Sequence, residues 1–194
     1  MAVIGLKMPI FAQIATYSAG ARPTYKDGKV ISKAISAEVT INSSSVSLYA
    51  DDAEDEHDES FINGAITFGM SYLDYQSEVL MFGSQMSSSG GATGEILDAA
   101  DDVSPEGGFG YYRVHKKDGV KSYEGVWLLR TMFKKADEST ETKGESIAFQ
   151  TPSVAGTIMR VDGYQGGLWR ERKMFTNETD CISWVKGKAG IADE

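Results

Sequence analysis

The most distinctive chemical stretch of this sequence is an acidic run from Asp51 to Ser60, DDAEDEHDES, which contains seven carboxylates. Calcium-binding loops space their carboxylates at alternating positions around a glycine and close with a glutamate. This run has no glycine before Gly64, and its spacing does not fit that pattern. Because packed like charges repel one another, the run is predicted to be a solvated, mobile loop with His57 exposed in it, and not a metal site.

Groups suited to catalysis are sparse elsewhere. The chain has two histidines and one cysteine, and it contains no nucleophile elbow, paired-histidine zinc motif or Cys-x-x-Cys. Paired carboxylates are the machinery of glycosidases, and composition alone leaves that class open, but these acids cluster where repulsion works against a defined pair. Cys181 lies in an amphipathic segment, where it is predicted to be a small buried apolar group. The sequence therefore predicts no enzyme and no cofactor.

Charge is distributed very unevenly along the chain. Between Ala34 and Tyr112 there is no lysine or arginine against 15 acidic residues, and the whole chain carries a net charge of −9. Such asymmetry predicts a surface of one sign, and it argues against ordinary binding to a nucleic-acid backbone. No stretch approaches the ~20 apolar residues of a membrane span. With one cysteine and no signal-like N-terminus, folding in a reducing cytoplasm is expected.

The strongest structural signal is a hairpin from Gly107 to Phe133. Asp118-Gly119 between alternating apolar residues predicts a two-residue turn with positive φ at both positions. That turn places Arg113 opposite Glu124 and Gly110 opposite Trp127. One face then carries the apolar set Tyr112, Val114, Tyr123, Trp127 and Leu129, which must be buried. The other carries Tyr111, Arg113, His115, Ser122 and Glu124, which can meet water or a partner.

The remaining elements fill out one mainly β domain over residues 1–194. Pro9 removes a ladder donor, so Val3–Ile14 are predicted to form an edge strand or extended arm. Residues 16–29 are predicted to form a polar loop with a turn at Asp27-Gly28, and the two segments together make an N-terminal arm of about residues 1–30. Alternation predicts further strands at 35–41, 46–49, 61–72, 147–150, 154–161 and 169–175, with a turn at 42–45. Residues 84–94 form a Ser/Gly-rich loop, and 134–145 a polar one. One helix follows Asp74 and stops at Gly83, and a C-terminal helix covers 177–190.

Several segments, taken in order, resemble the major tail protein of bacteriophages with long non-contractile tails, that is, the tail tube subunit. They are IGLKMPIFA, KAISAEVTI, LYADD, GFGYYRVHKKDGVKSYEGVWLL, TKGESIAFQTPSVAGTI and ETDCISWVKGKAG. The similarity spans roughly residues 3–190, with Asp51–Ser60 and Ser84–Gly94 as variable inserts.

The resemblance implies a fold of two packed antiparallel β-sheets, forming a sandwich or partial barrel, with a flanking α-helix and a short C-terminal helix. It implies hexameric rings in which sheets of neighbouring subunits join around a lumen. The rings stack around a tape-measure protein, between tail initiator and terminator proteins, and double-stranded DNA later passes through the lumen. The protein would be assembled in the host cytoplasm and end in the virion tail, with no membrane partner.

The charge asymmetry leads to the hypothesis that carboxylates between Glu38 and Glu106 line the lumen and keep DNA from adhering. The alternative for the acidic run is an outer or inter-ring loop, and the run and the N-terminal arm are both predicted to contribute to ring stacking. The candidate lumen or inter-ring residues are Asp51, Asp52, Glu54, Asp55, Glu56, Asp58 and Glu59. The candidate subunit-contact residues of the hairpin are Arg113, His115, Ser122 and Glu124. The alternative function is a soluble β-barrel module that binds a small ligand or carbohydrate.

Overall fold

The computed structural model describes residues 2–50, 53–87, 94–135 and 151–192, with the backbone alone for residues 46–50 and 53–58. It is a mainly β structure with two helices. The strands are β1 (Ala2–Thr16), β2 (Thr24–Val30), β3 (Ala34–Ala50), β4 (Ala53–Met70), β5 (Gln85–Ser87), β6 (Glu95–Leu97), β7 (Gly107–Lys117), β8 (Val120–Phe133), β9 (Ser153–Met159) and β10 (Arg170–Phe175). The helices are α1 (Tyr75–Phe82) and α2 (Glu178–Lys188).

One large antiparallel sheet organises the molecule, in the order β2-β1-β7-β8-β9-β4-β3. On the side away from β7, strand β8 has two partners. Arg130–Phe133 pair with β9, and Tyr123–Leu128 pair with β10. The short strands β5 and β6 form a separate pair. The described strands do not close into a barrel.

The β7–β8 hairpin has the predicted turn and register. Asp118 and Gly119 adopt positive φ values of 49° and 82°, as a two-residue turn between twisted strands requires. Arg113 pairs with Glu124, and Gly110 pairs with Trp127. The prediction from the Asp-Gly dipeptide is therefore confirmed.

Both faces of this hairpin are covered, which differs from the expectation of one exposed face. On one face Trp127 and Leu129 pack with Cys181 and Val185 of α2. On the other, Tyr111 is only 4% exposed and joins the core formed with β4, β9 and α1. The β7–β8 hairpin thus lies between two apolar cores. The polar residues of this face suggested exposure, but Arg113 and His115 pair with Glu124 and are largely covered.

The N-terminal segment is a strand paired within the sheet and not an extended arm, and its first residues, Ala2–Lys7, pair only with β7, as the alternative of an edge strand predicts. β1 lies between β2 and β7. Proline removes a ladder donor, but Pro9 falls between Lys7 and Ile10, where the register with β7 shifts, and Met8 there has a φ of 54°. The predicted turn at Asp27-Gly28 is likewise an irregularity within β2.

The described part of the acidic run is a strand and not the predicted loop. Residues 53–60 continue β4 and pair with β3, which runs without the predicted turn at 42–45. The like charges are tolerated because each paired acid faces an uncharged residue: Glu59 faces Ser45, and Glu56 faces Leu48. Hydroxyl and amide contacts join the strands, as in the Ser43 Oγ hydrogen bond to Glu59 Oε1 at 2.6 Å. Asp51 and Asp52 lie outside the described residues.

A register shift in the β3–β4 hairpin changes which side chains of β4 face the core. Ile62 has no partner across the strand pair, and its side chain is 53% exposed, although alternation predicts it on the buried face with Ile66. Phe61 turns inward instead and stacks on Trp169 at 4.7 Å between ring centroids.

Both predicted helices are present. Helix α1 ends at Gly83, which has a φ of 77° in the left-handed region. Helix α2 begins after Asn177, whose side chain accepts a hydrogen bond from the backbone N–H of Thr179. Cys181 is fully buried under α2, as predicted. The predicted strand at 147–150, most of the 134–145 loop and residues 88–93 of the Ser/Gly-rich loop lie outside the described residues.

Candidate functional site

The polar end of the β7–β8 hairpin is built around Glu124. Arg113 and His115 project from β7 on the same face, because residues two apart in a strand share a face. Glu124 Oε2 lies 3.1 Å from Arg113 Nη2 and 3.0 Å from His115 Nε2. Its side chain is only 10% exposed. The predicted Arg113–Glu124 pair is thus present as a largely buried ion pair.

Strand β10 adds two arginines to this surface. Arg172 Nη1 approaches Glu124 Oε1 at 3.6 Å, and the guanidinium of Arg170 lies 4.3 Å from the centre of the Trp169 ring. Sequence reasoning missed both residues. The available signal was the Arg-x-Arg spacing in RERKMF, which places both arginines on one face of a strand. We call Arg113, Arg170 and Arg172 the arginine cluster.

The arginine cluster carries more positive charge than its described surroundings balance. Glu124 is the one described carboxylate within ion-pair distance of it. The Nε atom of Arg113 is buried and has no hydrogen-bond partner. Burial, followed by repulsion from Arg172, lowers the pKa of Arg170 from its ordinary value. The local electrostatics therefore favour an added negative group.

A shallow groove of about 390 Å³ opens beside Arg113. One side is the start of β1, with Val3 and Leu6, and the other is the start of β3, with Ile35. Both polar and apolar side chains line this groove. The described residues also hold no cluster of His, Cys, Asp and Glu able to ligate a metal.

The second charged surface is the β3–β4 hairpin. Five of the seven candidate acidic residues, namely Glu54, Asp55, Glu56, Asp58 and Glu59, lie on its described backbone. Glu59 is exposed and accepts a hydrogen bond from Ser43, and among the described contacts it forms no ion pair with the arginine cluster of the same chain. The described acidic candidates therefore lie on the β3–β4 hairpin and the subunit-contact candidates on the β7–β8 hairpin, at different places in the sheet.

The remaining strongly perturbed groups have structural roles. Burial, and then a hydrogen bond to Glu178, raise the pKa of Tyr112; that bond and Lys7 in turn lower the pKa of Glu178. Burial raises the pKa of Tyr25 to about 12, and its hydroxyl donates to the Leu129 carbonyl at 2.8 Å. These contacts tie β1, β2 and α2 to the sheet.

Comparison with known protein families and with curated proteins found no match to this sequence. Among the described residues, no helix is long and apolar enough to cross a membrane. The function of the chain is therefore inferred from its surfaces and from the sequence resemblance.

Proposed function

We propose that this protein is a structural subunit that assembles with copies of itself into stacked hexameric rings, forming the tail tube of a bacteriophage with a long non-contractile tail. Phage DNA passes through the lumen of this tube, and a tape-measure protein fills it beforehand. Initiator and terminator proteins cap its ends. The protein works in the virion tail as a scaffold, without enzyme activity or cofactor.

The observation that carries this proposal is the free outer edge of β3. This 17-residue strand pairs with β4 on one side and with no described strand on the other. Long open edges present unpaired backbone groups and are normally covered. Ile35 and Ile41 on this strand are about half exposed, at 53% and 47%. Pairing with a strand of another subunit would satisfy the backbone and cover the isoleucines.

A second open edge supports the same reading. The first residues of β1, Ala2–Lys7, pair with β7, whereas the pairing of β1 with β2 starts only at Ile10. The start of this edge and the start of β3 form the two walls of one groove, where a strand of another copy would pair. A head-to-tail contact of this kind closes into a ring or continues into a filament. The ordered sequence resemblance supports stacked rings of a tail tube as that assembly. In that assembly the two packed sheets of the family fold would form the tube wall.

The acidity of the chain suits a tube that conducts DNA. Residues 34–112 contribute 15 carboxylates and no lysine or arginine. We propose that part of this set, including Glu38, faces the lumen, where repulsion acts over a Debye length of about 8–10 Å. An assembled structure with no excess of carboxylates on its inner wall would refute this part of the proposal.

Charged substitutions on the β3 edge test the proposed assembly. We expect Ile35→Lys together with Ile41→Lys to abolish assembly, because lysines on an edge strand oppose pairing. Both side chains are half exposed, so the melting temperature should stay close to that of the wild type. Val103→Lys is the matched control, since Val103 is 77% exposed and lies outside the strands. Unchanged assembly of the double variant would contradict a role for this edge.

A further inference from the structure

Among the described residues, the arginine cluster has more positive charge than nearby carboxylates balance. Arg113 and Arg172 share the carboxylate of Glu124, and Arg170 lies over the Trp169 ring on the same strand as Arg172. Partly buried charges are retained in proteins when they are paired. Arg113 and Arg172 share Glu124, while Arg170 forms no ion pair with any described residue. A cluster of this kind is suited to receive further carboxylates.

The cluster is also accessible to a partner. The side chain of Arg172 is 51% exposed and that of Arg113 is 29% exposed. Arg113 also lines the groove between β1 and β3, so it can be approached from that side. Guanidinium groups form two parallel hydrogen bonds with a carboxylate, which makes such a surface selective as well as attractive.

The chain itself supplies a ligand of matching chemistry. The described strand segment of residues 53–60 carries five carboxylates and no basic residue other than His57. Glu59 at its inner end is hydrogen-bonded to Ser43 and does not reach the arginines of its own chain. A contact between Glu59 and the arginine cluster would therefore join two copies.

We infer that the acidic β3–β4 hairpin of one copy binds the cluster of Arg113, Arg170 and Arg172 on a second copy. This inference rests on the proposed self-assembly and names the surfaces that meet. Charge complementarity fixes both the orientation and the direction of the contact, because donor and acceptor lie on different parts of the chain. Such a heterologous contact repeats from copy to copy.

Charge neutralisation and charge exchange test the inference on the full-length protein. We expect Arg170→Gln with Arg172→Gln to raise the concentration needed for assembly at least tenfold. Because Arg113 and His115 still meet Glu124, the melting temperature should stay close to that of the wild type, which separates loss of a contact from loss of folding. Arg160→Gln is the matched control, because Arg160 forms an exposed pair with Asp162 away from the cluster.

The exchange variants identify the partner surface. Arg170→Glu in one protein and Glu54→Lys with Glu56→Lys in another should each assemble poorly alone and assemble together when mixed. Normal assembly of the glutamine variant, or no recovery on mixing, would overturn the inference while leaving the proposed function intact. A wild-type chain that stays monomeric would contradict both. Binding of labelled duplex DNA that is lost in the glutamine variant would assign the cluster to nucleic acid and overturn the inference.

Discussion

Replacing Glu124 by glutamine tests whether the polar end of the hairpin is held together by this one carboxylate. The side chain is 10% exposed and meets Arg113 and His115 at about hydrogen-bond distance, 3.1 and 3.0 Å. Removing one partner of a fully buried pair costs about 3–5 kcal/mol, and a charged hydrogen bond contributes roughly 1.5–3 kcal/mol. Arg113 keeps partial access to water, so we expect a loss of about 2–3 kcal/mol.

The assay is urea unfolding followed by circular dichroism, supported by thermal melting. At roughly 2–4 °C per kcal/mol for a chain of this size, the melting temperature should fall by about 4–12 °C. Asp27→Asn is the matched control: its pair with Lys26 spans 3.9 Å at the surface, and asparagine tolerates its positive φ. A change of less than about 0.5 kcal/mol for Glu124→Gln, equal to that expected of a surface site, would refute the reasoning.

Three further predictions concern packing, pH and the thiol. Gly110→Ala should destabilise the fold by about 1–3 kcal/mol in urea unfolding, because the added Cβ would lie 2.4 Å from a ring atom of Trp127. The control Gly187→Ala should be neutral or stabilising, because the Cβ added there on α2 meets open space. The folded-state pKa of Glu178 is lowered, so the stability it contributes is present above its ordinary value of 4.5 and is lost as the pH falls through the folded value. Glu178→Gln should therefore weaken the fold at pH 7 and match the wild type in strong acid. Native Cys181 should resist alkylation at neutral pH, because it is buried and its pKa is raised to about 11, and it should react fully in urea.

Each of these predictions has an opposing result. Equal stability of Gly110→Ala and Gly187→Ala would mean that the hairpin and α2 pack less closely than described. A pH-independent difference between Glu178→Gln and the wild type would remove the carboxylate from the contact with Tyr112 and Lys7. Rapid alkylation of native protein would contradict the burial of Cys181.

The hairpin was predictable because its information is local. Asp118-Gly119 fixes the turn, and the turn fixes which residues pair, so Arg113 opposite Glu124 follows from counting. The helices were predictable for a similar reason, since Asn177 and Gly83 are local start and stop signals. None of these predictions needed knowledge of a distant strand.

The predictions failed where pairing with a strand distant in the sequence determines the local structure. The charge of the acidic run is typical of a loop, but β3 pairs with it and places uncharged residues such as Ser45 opposite its acids. Pro9 reads as an edge signal, but a register shift accommodates it inside the sheet. Arg170 and Arg172 were not recognised as part of the hairpin surface, because only the pairing of β10 with β8 places them on it and brings Arg172 to Glu124. Local patterns do not encode that pairing.

Self-assembly of the purified chain is the most direct test of the proposed function. Sedimentation velocity over a range of protein concentrations, with negative-stain microscopy of the same samples, measures it without any partner protein. We predict large species that grow with concentration and appear as rings or tubes with a central channel. A single monomeric species at every concentration, with no rings or tubes in the images, would contradict the account.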